Sequence, residues 1–214
     1  MNRSLDLFLA GLCTLLLLPL AILSYPLLLW LIGAPVIFKQ KRMGKSGQIF
    51  TMYKVRSMYK NAEITKHLYL AANQAPSPMF KIGNDQRFIK KSLSLPWRKN
   101  SFRLNVGHFL SRSGLDELPQ IINIIKGEMS WFGPRPLPVK ESLALEQIDP
   151  TWAKWRHSVS PGIFSAWALD SQHNKSLKHW KKLEQATIKM PEMEKYSTIC
   201  QVVYKQLCNI LKAK

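Results

Sequence analysis

Residues 7–38 read LFLAGLCTLLLLPLAILSYPLLLWLIGAPVIF and contain no charged side chain. A charge-free run of this length exceeds the roughly 20 apolar residues that a membrane-spanning helix needs. Pro19 and Pro26 lie inside the run, and each proline removes a backbone donor and favours a kink. Two topologies stay open: a single crossing of the bilayer, or entry into one leaflet with a break near Pro19 and return to the same side.

The residues that flank the apolar run favour a cytoplasmic C-terminal side. Lys39, Lys41, Arg42 and Lys45 follow it directly, and basic clusters of this kind stay on the cytoplasmic face of a membrane. Arg3, on the other flank, weakly indicates the same side. The flank before the run carries little positive charge and no small-residue cleavage site closes the run, so we do not expect a cleaved signal peptide.

The remainder of the 214-residue chain is predicted to be a small and strongly basic globule. The chain has 31 Lys and Arg residues against 13 Asp and Glu residues, a net charge of +18. Such an excess points to anionic partners, which include lipid surfaces, nucleic acids and phosphorylated metabolites. Cys13, Cys200 and Cys208 form no CxxC pair and the histidines lack zinc-ligand spacing, so we expect neither a disulfide framework nor a zinc site.

Periodicity and turn signals divide this remainder into elements. Residues 48–56 are rich in aromatic and branched side chains and predict a strand. Residues 61–78 begin as a helix and end as a loop. A short helix is predicted over residues 119–126, because proline stands at its first position and Gly127 just past its end. The basic stretch 176–214 predicts helix, with an apolar stripe that we expect to pack on the core: Tyr196, Ile199, Val203, Leu207 and Ile210.

Two acidic residues and one arginine indicate phosphate chemistry. LDELPQ, residues 115–120, places Asp116 and Glu117 beside a helix start, and GPRP, residues 133–136, holds Arg135 between prolines. Neighbouring residues do not share a helix face, so the two acids can serve different roles. Mg²⁺ takes oxygen ligands and can join carboxylates to phosphate, which leaves one carboxylate to attack phosphorus while Arg135 binds phosphate oxygens. The simpler interpretation of the acidic pair is helix capping.

A series of ordered motifs resembles the monotopic phosphoglycosyl transferases, bacterial sugar transferases that begin glycan assembly on a polyprenyl phosphate. The similarity runs from about residue 5 to about residue 163. The matching segments are the apolar run from Leu5 to Pro19, VIFKQKRMG (36–44), YKVRSM (53–58), MFKIGNDQR (79–87), LDELPQ (115–120), KGEMS (126–130), GPRP (133–136) and PGI (161–163).

The resemblance implies a two-step reaction. Asp116 would attack a nucleotide-sugar, usually a UDP-sugar, and release the nucleoside monophosphate. A polyprenyl phosphate would then accept the phospho-sugar from Asp116. Glu117 would act beside it and bind Mg²⁺. By the same resemblance, the residues that face phosphates are Lys54, Arg56, Arg87, Arg112 and Arg135.

The resemblance also implies an architecture and a location. It predicts a mixed α/β fold with amphipathic helices on the anionic surface of the bacterial inner membrane, and a re-entrant helix broken at Pro19 with both flanks cytoplasmic. We expect a membrane-inserted segment over residues 1–38, a catalytic domain over 39–175 and a divergent basic helical tail over 176–214. The oligomeric state is left open, with a homodimer as one expectation.

Three positions depart from the family's pattern. Ser111, Ser160 and Gln172 stand where the family usually has arginine, all around the inferred donor site. A second hypothesis is therefore a catalytically degenerate relative that binds the membrane or polyprenyl phosphate and partners an active enzyme. A third, a membrane-tethered nucleic-acid binder, rests on charge alone. The chain contains no recognisable nucleic-acid module, so we expect no such partner.

Overall fold

A computed structural model describes residues 2–94, 103–170, 172 and 174–211 of the chain. These residues form a mixed helix and sheet fold, as predicted. The helices are α1 (Arg3–Ile32), α2 (Val106–Ser113), α3 (Ile121–Lys126), α4 (Val139–Ile148), α5 (Pro150–Arg156), α6 (Leu177–Lys189) and α7 (Glu192–Leu211). The strands are β1 (Ile37–Met43), β2 (Ile49–Val55), β3 (Ser92–Ser94), β4 (Arg103–Asn105), β5 (Ser130–Phe132) and β6 (Gly162–Phe164). Short 3₁₀ helices cover Lys45–Gly47, Ile64–Ala72, Leu115–Gln120 and Ala166–Ala168.

The apolar run forms α1, which is helical without interruption from Arg3 to Ile32. Pro19 and Pro26 both lie inside it. Pro19 therefore lies within continuous helical backbone, and its role as the break of a re-entrant helix stays a prediction. A proline removes only a local part of the hydrogen-bond ladder, and the turns on either side keep theirs. By length and hydropathy this helix is long and apolar enough to cross a membrane.

Both ends of α1 contact the globular part of the protein. Near the N-terminus, Arg3 donates to the carbonyl oxygens of Ile124 and Ile125 at 2.6 and 2.9 Å. Asp6 is buried and accepts from the Ser130 hydroxyl at 3.0 Å. At the other end, Leu31 and Ile32 are buried in a cluster with residues of α2. The most exposed apolar side chains of α1 include those of its middle, which are Leu18, Leu20, Ile22, Leu23 and Leu27.

Three strand pairs brace the helices. The predicted strand is confirmed as β2, which pairs antiparallel with β1 and places Lys54 opposite Phe38. β5 pairs in parallel with β6, so that Ser130 lies opposite Gly162. The backbones then meet at Gly133 and Gly162, where a Cβ atom on Gly162 would lie 2.1 Å from the Gly133 nitrogen. This contact holds the start of the GPRP loop against β6.

The segment of the acidic pair differs in detail from the predicted helix. The end is confirmed, since α3 stops at Lys126 and Gly127 follows with a left-handed φ of 83°. The start lies earlier, because a 3₁₀ helix over Leu115–Gln120 runs directly into α3. Asp116 and Glu117 therefore lie in the first turn of a helical segment rather than in a loop before it.

Helices α6 and α7 confirm the predicted helical C-terminus and pack on the rest of the protein. Trp180 and Glu184 of α6 and Val202 of α7 are buried. The predicted apolar stripe on α7 is partly wrong, because Val203 and Leu207 are exposed. The buried face of α7 is offset by about one residue and includes Thr198 and Val202, which turn towards α2 and β6.

Two further sequence predictions have mixed outcomes. The expected helix in residues 61–78 is a 3₁₀ helix, Ile64–Ala72, followed by a loop. The second concerns the basic stretch 88–103, whose mixture of basic and aromatic residues favours either a surface against anionic headgroups or a solvated loop. Its first residues, Phe88 and Ile89, are buried, and residues 95–102 lie outside the described residues.

Candidate active site

Asp116 lies where two cavities meet. Gly114 has a φ of 75°, which ends α2 and turns the chain into the 3₁₀ helix that carries Asp116. The Asp116 side chain is 6% exposed and lines both cavities, whose volumes are about 260 and 480 Å³. Lys54 and Arg135 also line both of them. One buried carboxylate is thus reached from two spaces that share the same cations.

Glu117 is held by two of the predicted cations. Lys54 Nζ lies 2.7 Å from Glu117 Oε1, and Arg135 Nη1 lies 3.7 Å from the same oxygen. β2 supplies Lys54 and the stiff GPRP loop supplies Arg135, so strand, loop and 3₁₀ helix converge on one point. The structure brings Asp116, Glu117, Lys54 and Arg135 together as predicted from the sequence.

The two neighbouring carboxyl groups differ in pKa. Burial raises the pKa of Asp116 to about 6, with Glu117 adding to the rise while Lys54 and Arg135 oppose it. The pKa of Glu117 is lowered, because Lys54 and Arg135 together outweigh its burial. Glu117 is therefore the firmly ionised partner. Asp116 is a carboxylate at neutral pH with a higher proton affinity than an ordinary aspartate, as expected for a buried acid.

Arg56 contacts the end of α1 and also lines the smaller cavity. Its guanidinium donates to the carbonyl oxygens of Pro35 and Gly33, both at 2.8 Å, and also to that of Ile32. These carbonyls belong to the end of α1 and the turn after it, which lack partners within the helix. Arg56 thus ties the apolar helix to β2, and its contact with phosphate stays a prediction.

Arg87 is also committed to the fold. It is buried, and its Nε and Nη2 atoms donate to Asp85 at 2.9 and 2.6 Å. Its Nη1 donates to the carbonyl oxygen of Ala62 at 2.9 Å. Arg87 also lines both cavities, and its contact with phosphate stays a prediction. Arg112, by contrast, is exposed at the end of α2 and lines the larger cavity.

Two further cations of the site were not predicted from the sequence. Arg42 donates to the carbonyl oxygen of Pro136 at 2.8 Å, directly behind Arg135. Lys81 lines the larger cavity with its ammonium 4.6 Å from the ring centre of Trp167. Burial, followed by the charges of Arg135 and Lys205, lowers the pKa of Lys81 to about 8. Both residues lie inside motifs quoted above, but their order in the chain does not show which cations face Asp116.

The residues present fit a magnesium ion held jointly with substrate. Among the described residues no group of three His, Cys, Asp or Glu side chains could hold a metal alone. Mg²⁺ is usually bound by one or two carboxylates together with substrate phosphates, and Asp116 with Glu117 supplies that number. The contact between Glu117 and Lys54 would have to be shared or exchanged when the ion binds.

Several known proteins are similar to this chain. Galactosyl transferase CpsE of Streptococcus agalactiae serotype III is 38% identical over 142 residues, which are 66% of this chain and 27% of that protein. A UDP-glucose:undecaprenyl-phosphate glucose-1-phosphate transferase of Escherichia coli K12 is 37% identical over 134 residues, 63% of this chain and 23% of that protein. Exopolysaccharide production protein ExoY of Rhizobium meliloti is 30% identical over 179 residues, 82% of this chain and 71% of that protein.

The extent of these similarities differs between relatives. The matched part of the chain spans about a quarter of the length of the first two proteins but most of ExoY. The sequence pattern of the bacterial sugar transferase family matches residues 1–212, which include every element of the site. The chain therefore belongs to the bacterial sugar transferase family.

Proposed function

We propose that this protein transfers a sugar phosphate from a nucleotide-sugar to a polyprenyl phosphate, with Asp116 as the nucleophile. The observation that carries the proposal is the buried Asp116 carboxylate where two cavities meet, beside Lys54, Glu117 and Arg135. The names of the relatives support the substrate classes, since one is a UDP-glucose:undecaprenyl-phosphate glucose-1-phosphate transferase. A UDP-sugar is accordingly the donor that we propose.

The chemistry proceeds in two displacements at one phosphorus atom. In the first, a carboxylate oxygen of Asp116 attacks the phosphorus that carries the sugar. The bond from that phosphorus to the bridging oxygen breaks, and its electron pair leaves with the nucleoside monophosphate. In the second, a phosphate oxygen of the acceptor attacks the same phosphorus and releases Asp116 as a carboxylate. Two cavities that share Asp116 suit a donor and an acceptor that use the same nucleophile.

The cations around Asp116 stabilise the negative charge that develops during these steps. Lys54 and Arg135 form ion pairs with Glu117. Lys81 and Arg112 line the larger cavity. Fixed cations in a partly buried site stabilise the negative charge on transferring and leaving oxygens. Mg²⁺, which Glu117 would hold, would supply further positive charge to the diphosphate.

We also propose that the protein lies on the cytoplasmic face of the bacterial inner membrane with α1 re-entrant. Both ends of α1 contact the same globular body, which is difficult to combine with ends on opposite sides of a bilayer. The exposed middle of α1 supplies the apolar surface that enters lipid. A second exposed apolar stripe runs along the segment that carries Asp116 and suits the membrane–water interface. Its members are Leu115, Leu118, Ile122 and Ile125.

Turnover by an Asp116→Asn variant tests the reaction. Purified protein with a panel of UDP-sugars, polyprenyl phosphate and Mg²⁺ should release UMP and form a lipid-linked sugar. The variant should lose at least about 10³-fold of this rate, because the nucleophile is gone. Asp149→Asn is a matched control, since asparagine can still cap α5 as Asp149 does.

Two results would decide between the hypotheses. Full turnover by Asp116→Asn would contradict the mechanism. Binding of polyprenyl phosphate by the wild-type protein, without turnover of any UDP-sugar, would instead support the degenerate relative. That outcome has some basis in the structure, because the short Ser111 side chain lines both cavities.

A further inference from the structure

Helix α6 reaches the backbone of Arg135 through one buried arginine, Arg156. Arg156 Nη2 donates to the carbonyl oxygen of Arg135 at 2.8 Å. The same guanidinium donates to Glu184 of α6, from Nη2 to Oε1 at 2.9 Å and from Nε to Oε2 at 3.0 Å. Arg156 is 3% exposed and Glu184 2% exposed. The GPRP loop is thus joined to α6 by a continuous chain of hydrogen bonds.

The Glu184 carboxylate is fully occupied. Besides Arg156, it accepts from the indole nitrogens of Trp152 at 2.8 Å and Trp180 at 3.2 Å. A buried ion pair is costly to desolvate, and well-packed apolar side chains of similar volume often stabilise a fold as well or better. Cohesion alone therefore does not account for this arrangement. Its geometry instead fixes one guanidinium, and through it one loop carbonyl.

A second route connects α6 with the side chain of Arg135. Trp180 packs against Trp167 with ring centres 5.2 Å apart. The Arg135 guanidinium carbon lies 5.5 Å from the ring centre of Trp167, a cation–π contact. Backbone and side chain of Arg135 are therefore both supported from α6. Fixing both limits the directions in which the guanidinium can point.

We propose that Glu184, assisted by Trp180, is a positioning residue that holds Arg135 in register with Asp116. This inference rests on the proposed transferase function for its kinetic consequence. It assigns part of the active site to residues 176–189, which lie in the segment predicted to be a divergent tail. Small displacements of a charged group at a reacting centre lower rates strongly, and about 1 Å can cost about 100-fold.

A double-mutant cycle tests the kinetic side of this proposal. Glu184→Gln keeps the shape of the side chain and removes its charge, and we expect kcat to fall about 10- to 100-fold with a small change in the donor KM. In an Arg135→Gln background the same change should cost less than about twofold, because the group that it positions is absent. Equal losses in both backgrounds, or no loss in the wild-type background, would overturn the proposal.

A matched variant and a second readout separate positioning from folding. Thr198→Val alters a buried polar residue of α7, whose hydroxyl bonds to the Met190 sulfur and not to either route that reaches Arg135. It should leave kcat within about twofold in both backgrounds. If Glu184→Gln does not fold, Trp180→Phe removes one hydrogen bond to Glu184 and serves in the same cycle.

Hydrogen exchange reports on the loop without any substrate. Peptides covering residues 130–138 should exchange faster in Glu184→Gln than in wild type, and at the wild-type rate in Thr198→Val. Unchanged exchange in Glu184→Gln would overturn the proposed support of the loop. Absence of wild-type turnover with every UDP-sugar would count against the proposed function, while the exchange result would still decide whether Glu184 holds the loop.

Discussion

The charges around Asp116 define the chemistry at the scale of single residues. Lys54 and Arg135 neutralise Glu117, and burial keeps the pKa of Asp116 near 6. An acid of this kind is ionised at neutral pH, yet it is poorly hydrated and is therefore better suited to attack than a solvated surface aspartate. The remaining positive charge of the site includes that of Lys81, which lines the larger cavity.

Because of Lys81, kcat/KM for the UDP-sugar should fall at alkaline pH. Its pKa of about 8 means that the ammonium is charged below this pH and loses its proton above it. If Lys81 binds donor phosphate, kcat/KM for the UDP-sugar falls as pH rises through about 8. Steady-state kinetics between about pH 6.5 and pH 9.5 would measure this limb.

The Lys81→Arg variant is the control for that assignment. An arginine stays protonated over the whole range and stacks on an aromatic ring as Lys81 does on Trp167. The alkaline fall should therefore disappear in Lys81→Arg. Persistence of the same fall in this variant would show that another group causes it.

The parallel pair of β5 and β6 matters most at the scale of elements, because it sets the path of the GPRP loop. The two backbones approach too closely at Gly133 and Gly162 for any side chain. Gly133 begins the GPRP loop, which carries Arg135. The glycine contact and the hydrogen bond from Arg156 therefore fix this loop at two points. Strand pairing thus acts on the active site through backbone contacts alone.

Gly162→Ala should disturb both stability and activity. The added Cβ would lie 2.1 Å from the Gly133 nitrogen and 2.5 Å from the Phe132 carbonyl carbon, so the strands must move apart. We expect a loss of about 1–3 kcal/mol in the free energy of unfolding, measured by urea denaturation in detergent. Turnover should also fall, because Arg135 moves with the loop.

Gly11→Ala provides a comparison for that substitution. A Cβ at Gly11 meets no atom within 4 Å, so the change should leave both stability and turnover close to wild type. If Gly162→Ala behaved in the same way as Gly11→Ala, the close approach of β5 and β6 would not constrain the loop.

Elements with a strong local pattern could be predicted, and long-range partners could not. The alternation in β2, the Gly127 end of α3 and the helical C-terminus follow from short stretches of sequence. The contacts of Arg56 and Arg87 could not be predicted in this way. A basic residue in a motif looks the same whether it binds a phosphate or donates to a backbone carbonyl. Glu184 gave no signal either, since its partners lie 28 and 32 residues away in sequence.

The whole molecule combines an apolar helix with a basic body of net charge +18. Both ends of α1 are tied to that body, at Arg3 and Asp6 on one side and through Arg56 on the other. A basic surface beside an apolar anchor suits an anionic membrane face. Such a placement would bring Asp116 close to lipid, where a polyprenyl phosphate presents its headgroup.

Labelling of single cysteines would test the re-entrant topology. Ser4→Cys and Lys41→Cys, each in a chain without Cys13, Cys200 and Cys208, place one thiol at each exposed flank of α1. A maleimide that cannot cross the inner membrane should label neither variant in intact spheroplasts and both after permeabilisation. Labelling of Ser4→Cys alone in intact spheroplasts would show that α1 crosses the bilayer.

The most direct test of the central claim is the intact mass of the protein after incubation with a UDP-sugar and Mg²⁺ in the absence of acceptor. We predict a mass increase of one phospho-sugar, located on the peptide that contains Asp116 and discharged by added polyprenyl phosphate. The increase should be absent in Asp116→Asn and present in Asp149→Asn. A wild-type protein that turns over both substrates without ever carrying this adduct, or that carries it on another residue, would contradict the account.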